Sequence, residues 1–169
     1  MNRFSARLFP PLPDGPVPLT LRPLLIAGMT TPVVSADGGI NITTIEEDPE
    51  GVLSAIDPYL DMAEGDLLTV YIEGMALDPI KVAERDVGKR VFFYLPVDWP
   101  KVEWVEDVHF ELLRNGATVP EPSAPLTLRV KLYRPGGVDK EPHLPGHSEL
   151  PRPGVPQDVI DNGVPAEWA

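Results

Sequence analysis

Leu126-Thr127-Leu128-Arg129-Val130-Lys131-Leu132-Tyr133 alternates at every position. Leu126, Leu128, Val130 and Leu132 fall on one side of an extended chain, and Thr127, Arg129, Lys131 and Tyr133 fall on the other. Period two is the mark of a strand with one buried and one solvated face. The same pattern recurs upstream. In Leu67–Glu73, Leu68, Val70 and Ile72 alternate with Thr69, Tyr71 and Glu73; in Arg90–Leu95, Val91, Phe93 and Leu95 alternate with Arg90, Phe92 and Tyr94. In Asp107–Leu113, Val108, Phe110 and Leu112 alternate with Asp107, His109 and Glu111. Ile40–Ile45, Val52–Ile56 and Ile80–Ala83 are shorter candidates.

Turn chemistry separates these runs: Asp48-Pro49-Glu50-Gly51, Asp57-Pro58, Glu64-Gly65-Asp66, Asp78-Pro79, Val87-Gly88 and Asn115-Gly116. Glycine and asparagine supply the positive φ that tight turns need. No window carries an apolar i, i+3, i+4, i+7 stripe of helical length. Short alternating strands with regular turns predict an all-β chain folded as an Ig-like antiparallel β-sandwich over residues 39–135. The chain has no cysteine, so the expected core is held by burial alone.

The flanks read differently. Residues 1–38 form a Pro-rich arm, with six prolines from Pro10 to Pro23 and a Phe9-Pro10-Pro11-Leu12-Pro13 stretch that favours polyproline II. Leu24–Ile26 within it is apolar enough to dock as an edge strand. The apolar run at Leu24–Met29 starts too late for an ordinary export signal. Residues 136–169 read as a Pro-rich linker followed by the start of a next repeat, at Asp158-Val159-Ile160-Asp161, Gly163-Val164 and Ala166-Glu167-Trp168.

Over 169 residues, 14 basic and 26 acidic side chains give a net charge of −12, which argues strongly against nucleic acid as a partner. No stretch reaches the roughly 20 apolar residues of a membrane span, so membrane insertion is not expected. Gly-x-Ser-x-Gly and Gly-rich phosphate loops are missing, as are thiol nucleophiles and thiolate metal ligands. His143, His147 and Glu149 are interrupted by Pro145 and Gly146 and cannot share a helix face. A non-enzymatic role is expected, with no cofactor unless it is calcium.

Calcium takes six to eight oxygen ligands. Between Arg22 and Lys81 there is no basic residue, while Glu46–Asp78 carries ten acids. The candidate ligands are Asp57, Asp61 and Asp66, which share one inter-strand stretch; a solvated acidic face is the plainer reading. For ligand binding the candidates are Tyr71, Tyr94, Tyr133 and Trp104, because outward aromatics stack on sugars or anchor protein contacts. Covering of that face by the N-terminal arm or by a neighbouring repeat explains the same aromatics. Asn41-Ile42-Thr43 is an N-glycosylation acceptor pattern.

Asp57-Pro58-Tyr59, Met62-Ala63-Glu64-Gly65-Asp66 ahead of a strand, Asp86-Val87-Gly88 ahead of Val91–Pro96, and a strand ending Leu128-Arg129-Val130 resemble the Ig-like repeat modules of large bacterial surface or secreted proteins. The resemblance covers residues 46–132, and Ile72-Glu73-Gly74 stands where those repeats carry Trp-x-Gly. It implies a structural or adhesive module, a surface or secreted location, and partners that are neighbouring domains of the same chain or a cell-surface partner or glycan. It carries no catalytic residue across.

Overall fold

The computed structural model describes residues 9–12, 20–46, 48–96, 98–99, 103–132, 140–141, 143 and 154. The chain divides into two compact units, Met1–Leu132 and Tyr133–Ala169. In the second, the described residues Lys140, Glu141, His143 and Gly154 are all exposed; the rest of the linker, its expected next strand, His147, Glu149 and Tyr133 lie outside the described residues.

The first unit is all-β. Its strands are β1 (Leu25–Ile26), β2 (Gly38–Asn41), β3 (Val52–Ile56), β4 (Leu67–Ile72), β5 (Met75–Ala76), β6 (Ile80–Lys81), β7 (Val91–Leu95), β8 (Trp104–Leu113), β9 (Glu121–Pro122) and β10 (Leu126–Lys131). A three-stranded sheet has the order β1-β3-β7, and a seven-stranded sheet the order β2-β10-β8-β4-β5, with β6 along β4 and β9 along β8. All pairings are antiparallel except β2 with β10, where Gly38–Asn41 run parallel to Leu128–Lys131.

The alternating runs put their apolar sets where period two requires. Leu68, Val70 and Ile72 of β4, Val108, Phe110 and Leu112 of β8, and Leu126, Leu128 and Val130 of β10 are buried together with Val52 and Ile56 of β3 and Val91 and Leu95 of β7. One cluster therefore takes side chains from both sheets. Packing begins before residue 39: Leu21, Leu24 and Ile26 belong to that cluster, and Leu25 and Ile26 pair with Ala55 and Ser54 of β3.

Three local features depart from the sequence reading. Ile40–Ile45 is not one strand, because β2 stops at Asn41 and a short helix, α1 (Ile42–Glu46), follows. The Asn41 side chain accepts the Thr44 backbone N–H at 3.1 Å, the capping bond that starts a helix. β8 begins at Trp104 rather than Asp107. Leu126 faces Val108 while Leu128 faces Val105, so β8 carries an extra residue at Glu106-Asp107. That bulge flips the phase, with Val105 inward before it and Val108, Phe110 and Leu112 inward after it. Finally, Glu73 (φ 49°) and Gly74 (φ 81°) form the two-residue turn joining β4 to β5, where Ile72 faces Met75. Positive φ at both central residues is the type I′ geometry that matches strand twist.

Candidate functional site

The loop from Asp57 to Asp66 holds the acidic residues of the calcium expectation, and the carboxylates of Asp57 and Asp66 are engaged by other groups of the fold. Asp66 is 1% exposed. Its Oδ2 accepts the Tyr59 hydroxyl at 2.9 Å and the Ala63 N–H at 3.0 Å, and its Oδ1 accepts the Asn115 N–H at 2.9 Å. Burial works to raise its pKa, but the bonds from Asn115, Ala63 and Tyr59 and the nearby Arg114 outweigh it and hold the carboxyl below the usual range. Tyr59 is driven strongly upward by burial and by that same carboxylate.

Asp57 Oδ1 receives Arg90 Nε at 2.7 Å, and Arg22 stands 3.9 Å from Oδ2. Asp61 is exposed and contributes its backbone carbonyl to Arg114. Among the described residues no group of three His, Asp or Glu side chains is placed to hold a metal ion. Arg114 binds Glu121 through Nε at 2.6 Å and donates from Nη1 to the Leu60 carbonyl at 3.0 Å. It thereby ties this loop to β9.

The aromatic candidates separate onto two surfaces. Tyr71 of β4 and Trp104 of β8 lie on the outer face of the seven-stranded sheet, because their neighbours Val70, Ile72 and Val105 are buried. Tyr94 of β7 lies on the outer face of the three-stranded sheet, beside Phe92; they are 39% and 47% exposed. No single ligand footprint on one sheet face includes Tyr71, Trp104 and Tyr94.

On the seven-stranded face the rings are already engaged. Arg129 pairs across the ladder with Trp104, and its guanidinium carbon sits 4.8 Å from the indole centroid, a cation–π contact. Glu103 lies 3.6 Å from the same guanidinium. Tyr71 and His109, directly opposite in register, stack with centroids 5.1 Å apart and planes 8° from parallel. His109 Nδ1 is 2.6 Å from Asp107 Oδ1. Tyr71 is held above the usual tyrosine range by desolvation and by its hydrogen bond to Glu111. His109, although on an outward strand position, has a side chain only 17% exposed. These are two separate pairs on the outer face of the seven-stranded sheet, Trp104 with Arg129 and Tyr71 with His109, half-buried apart from the exposed Arg129.

The three-stranded face is partly covered. Phe9, in the N-terminal arm, is 5% exposed and clusters with Ala27 and Ala55 and with the half-buried Leu25 and Leu53. Its ring lies 5.8 Å from Phe92 and 5.9 Å from the Arg90 guanidinium carbon. A separate groove of about 230 Å³ is lined by Val70, Leu77, Asp78, Ile80, Phe93, Tyr94 and Pro96.

Arg129 and Phe9 were not among the sequence candidates. Arg129 is marked only by its ladder partner, which requires the register. Phe9 sits in a Pro-rich stretch where periodicity carries no signal.

Compared with known proteins, the chain matches no family model, and neither curated proteins nor solved structures give a match.

Proposed function

We propose that residues 21–132 form an Ig-like β-sandwich module with a non-catalytic structural or adhesive role in a larger surface or secreted protein. One observation carries this reading: the chain passes repeatedly between two sheets around a shared core. It runs from β2 in the large sheet to β3 in the small one and back to β4, then from β7 in the small sheet to β8 in the large one. Ig-like folds cross between two antiparallel sheets in this manner. Such a module is stiff, because its strands share one packed interior. The acidic balance favours solubility and discourages self-association.

The deciding experiment is the intact mass of the native gene product recovered from its own cells. A mass far above 18.5 kDa is expected for a module of a larger protein. A mass equal to that of this chain overturns the reading.

The pairs Trp104–Arg129 and Tyr71–His109 favour a second reading, a glycan- or protein-binding module using the outer face of the seven-stranded sheet. Rings paired with charged or polar groups on one sheet face suit sugar stacking with hydrogen bonding at the edges. Glycan-array binding that disappears in Trp104→Ala supports it, and the absence of any array signal from the unmodified protein counts against it.

A further inference from the structure

β7 is the terminal strand of its sheet: Val91–Leu95 pairs with β3 along one side, and among the described residues no strand pairs with the other. The ladder decides which backbone groups face that open side. The Ala27 N–H donates to the Leu53 carbonyl at 2.9 Å, so Leu53 turns its polar backbone groups toward the β1 side. In an antiparallel sheet the residues of a strand alternate in this respect, so Val52 and Ser54 turn theirs toward β7, where they face Leu95 and Phe93. Phe92 and Tyr94 therefore direct their N–H and C=O groups away from β3, to the open side. Such edges are ordinarily blunted by proline, lysine or a bulge. Val91-Phe92-Phe93-Tyr94-Leu95 contains neither residue, and its register with β3 is unbroken.

The side chains along this edge are aromatic. Phe92 and Tyr94 are exposed on the outer side. Phe93 is half-buried on the inner side, in the groove it shares with Val70, Leu77 and Ile80. Phe9 leaves the edge open, because it packs over β1 and β3 with Leu25, Ala27, Leu53 and Ala55.

This edge is complementary to itself. When two copies of β7 run antiparallel about a two-fold axis at Phe93, Phe92 of each stands opposite Tyr94 of the other. Each of these pairs exchanges both of its N–H···O=C bonds, using the groups that β3 leaves free. On the outer side the exposed Phe92 and Tyr94 rings become cross-strand neighbours. On the inner side the two Phe93 rings meet as a non-hydrogen-bonded pair, where side chains approach most closely, at the mouth of the groove. Cross-strand aromatic pairs stabilise a sheet. Charge fits the same arrangement. The exposed Lys89 precedes β7, whereas Asp48, which hydrogen-bonds the Tyr94 hydroxyl, and Glu50 stand at its C-terminal end. Antiparallel pairing brings the basic end of one strand to the acidic end of the other.

We propose that β7 is a homodimerisation edge, at which a second copy of this chain adds its own β7 antiparallel about Phe93 and joins the two three-stranded sheets into one. The charge of −12 on each copy opposes the approach and outweighs the local attraction of Lys89, so association strengthens as salt screens the repulsion.

Sedimentation of the full chain up to millimolar concentration is expected to show a monomer–dimer equilibrium that shifts to dimer with added salt. The Tyr94 N–H lies outside the ladder with β3, so Tyr94→Pro spares the pairing within the chain. The two-fold makes it remove a hydrogen bond twice, and dimerisation is expected to weaken by about thirtyfold. Phe92→Lys with Tyr94→Lys, both on the outer side, is expected to abolish the dimer with the circular dichroism unchanged, which covers the case of a proline variant that fails to fold. The chain has no cysteine, so Phe93→Cys sets one thiol from each copy at the axis, with Cβ atoms about 4.5–5.5 Å apart. A disulfide-linked dimer is expected on mild oxidation, while Thr69→Cys on the large sheet stays monomeric under the same conditions. A chain that is monomeric at every concentration and salt level overturns the proposal. So does a dimer that the double lysine variant leaves intact, or a Thr69→Cys chain that cross-links as readily as Phe93→Cys.

Discussion

Tyr59 donates its hydroxyl hydrogen to the carboxylate of Asp66 at 2.9 Å, seven residues along the chain and inside the fold. The same carboxylate takes the backbone N–H of Ala63 and of Asn115, so one buried side chain joins the loop before β4 to the turn after β8. Asp66→Ala leaves these donors without their acceptor, and each unsatisfied buried donor costs about 1–3 kcal/mol. We expect a loss of about 3 kcal/mol in denaturant unfolding, with Tyr59→Phe costing about 1 kcal/mol because it removes one donor and leaves the others in place.

Acid stability follows from the same carboxyl. Its pKa is lowered in the folded protein, whereas an unfolded aspartate titrates at about 3.9. Its contribution is therefore complete above that unfolded value and is lost as pH falls through the lower, folded one. The melting temperature is expected to fall below about pH 4, and Asp66→Asn, already weaker at neutral pH, to show a flatter acid limb. An unchanged limb in the variant would assign acid sensitivity to other carboxylates.

Asp57 and Arg90 form a second internal tie, at 2.7 Å with side chains 10% and 12% exposed. Breaking one partner of a buried pair typically costs about 3–5 kcal/mol, since the other charge is left uncompensated. Asp57→Ala is expected near the lower end, about 3 kcal/mol, because Arg90 also has the Phe9 ring nearby. With the carboxylates of Asp57 and Asp66 committed to these partners, melting in chelator and in millimolar calcium is expected to coincide. A calcium-dependent rise would show a site that binds the folded state.

What the sequence makes legible is set by periodicity. β4, β7, β8 and β10 are long enough for a buried and an exposed face to alternate, and apart from Val105 their inward residues are readable from the sequence. β1, β5 and β9 have two residues each, too few to carry a period. The start of β8 was hidden because the bulge at Glu106-Asp107 inverts the alternation. Ile40–Ile45 misled because β-branched residues favour strands, while the decisive bond comes from the Asn41 side chain. Ties such as Asp57–Arg90, 33 residues apart, and Trp104–Arg129 depend on topology, which residue types alone do not state. The same limit scattered the aromatic candidates: outward positions were readable, but not which sheet each strand joins.

Backbone geometry gives a pair of opposite expectations. Glu73 holds φ at 49°, a left-handed conformation costing an ordinary residue about 1–2 kcal/mol and tolerated better by asparagine. Glu73→Asn is expected to stabilise by about 0.5 kcal/mol. Gly51 holds φ at 126°, and an added Cβ would lie 2.1 Å from the Leu95 carbonyl oxygen. Gly51→Ala is expected to lose well over about 1 kcal/mol, because the clash sits where β3 meets β7. A melting temperature below that of the unmodified protein for Glu73→Asn contradicts the first argument, and an unchanged one for Gly51→Ala contradicts the second.

The separation of the aromatic candidates makes the binding hypothesis divisible. Trp104 and Tyr71 share the outer face of the large sheet, and Tyr94 occupies that of the small one, so a ligand stacked on the first surface is blind to the second. If a glycan or protein binds the large-sheet face, Trp104→Ala is expected to weaken it by about 2 kcal/mol or more, as for the loss of an anchoring aromatic. Arg129→Ala is expected to weaken it less, since the indole surface remains after the guanidinium above it is gone. Tyr94→Ala is expected to leave that affinity unchanged. Titration calorimetry of the three variants against one ligand checks the pattern, and a loss confined to Tyr94→Ala would move the binding surface to the small sheet, where Phe9 already occupies part of the face.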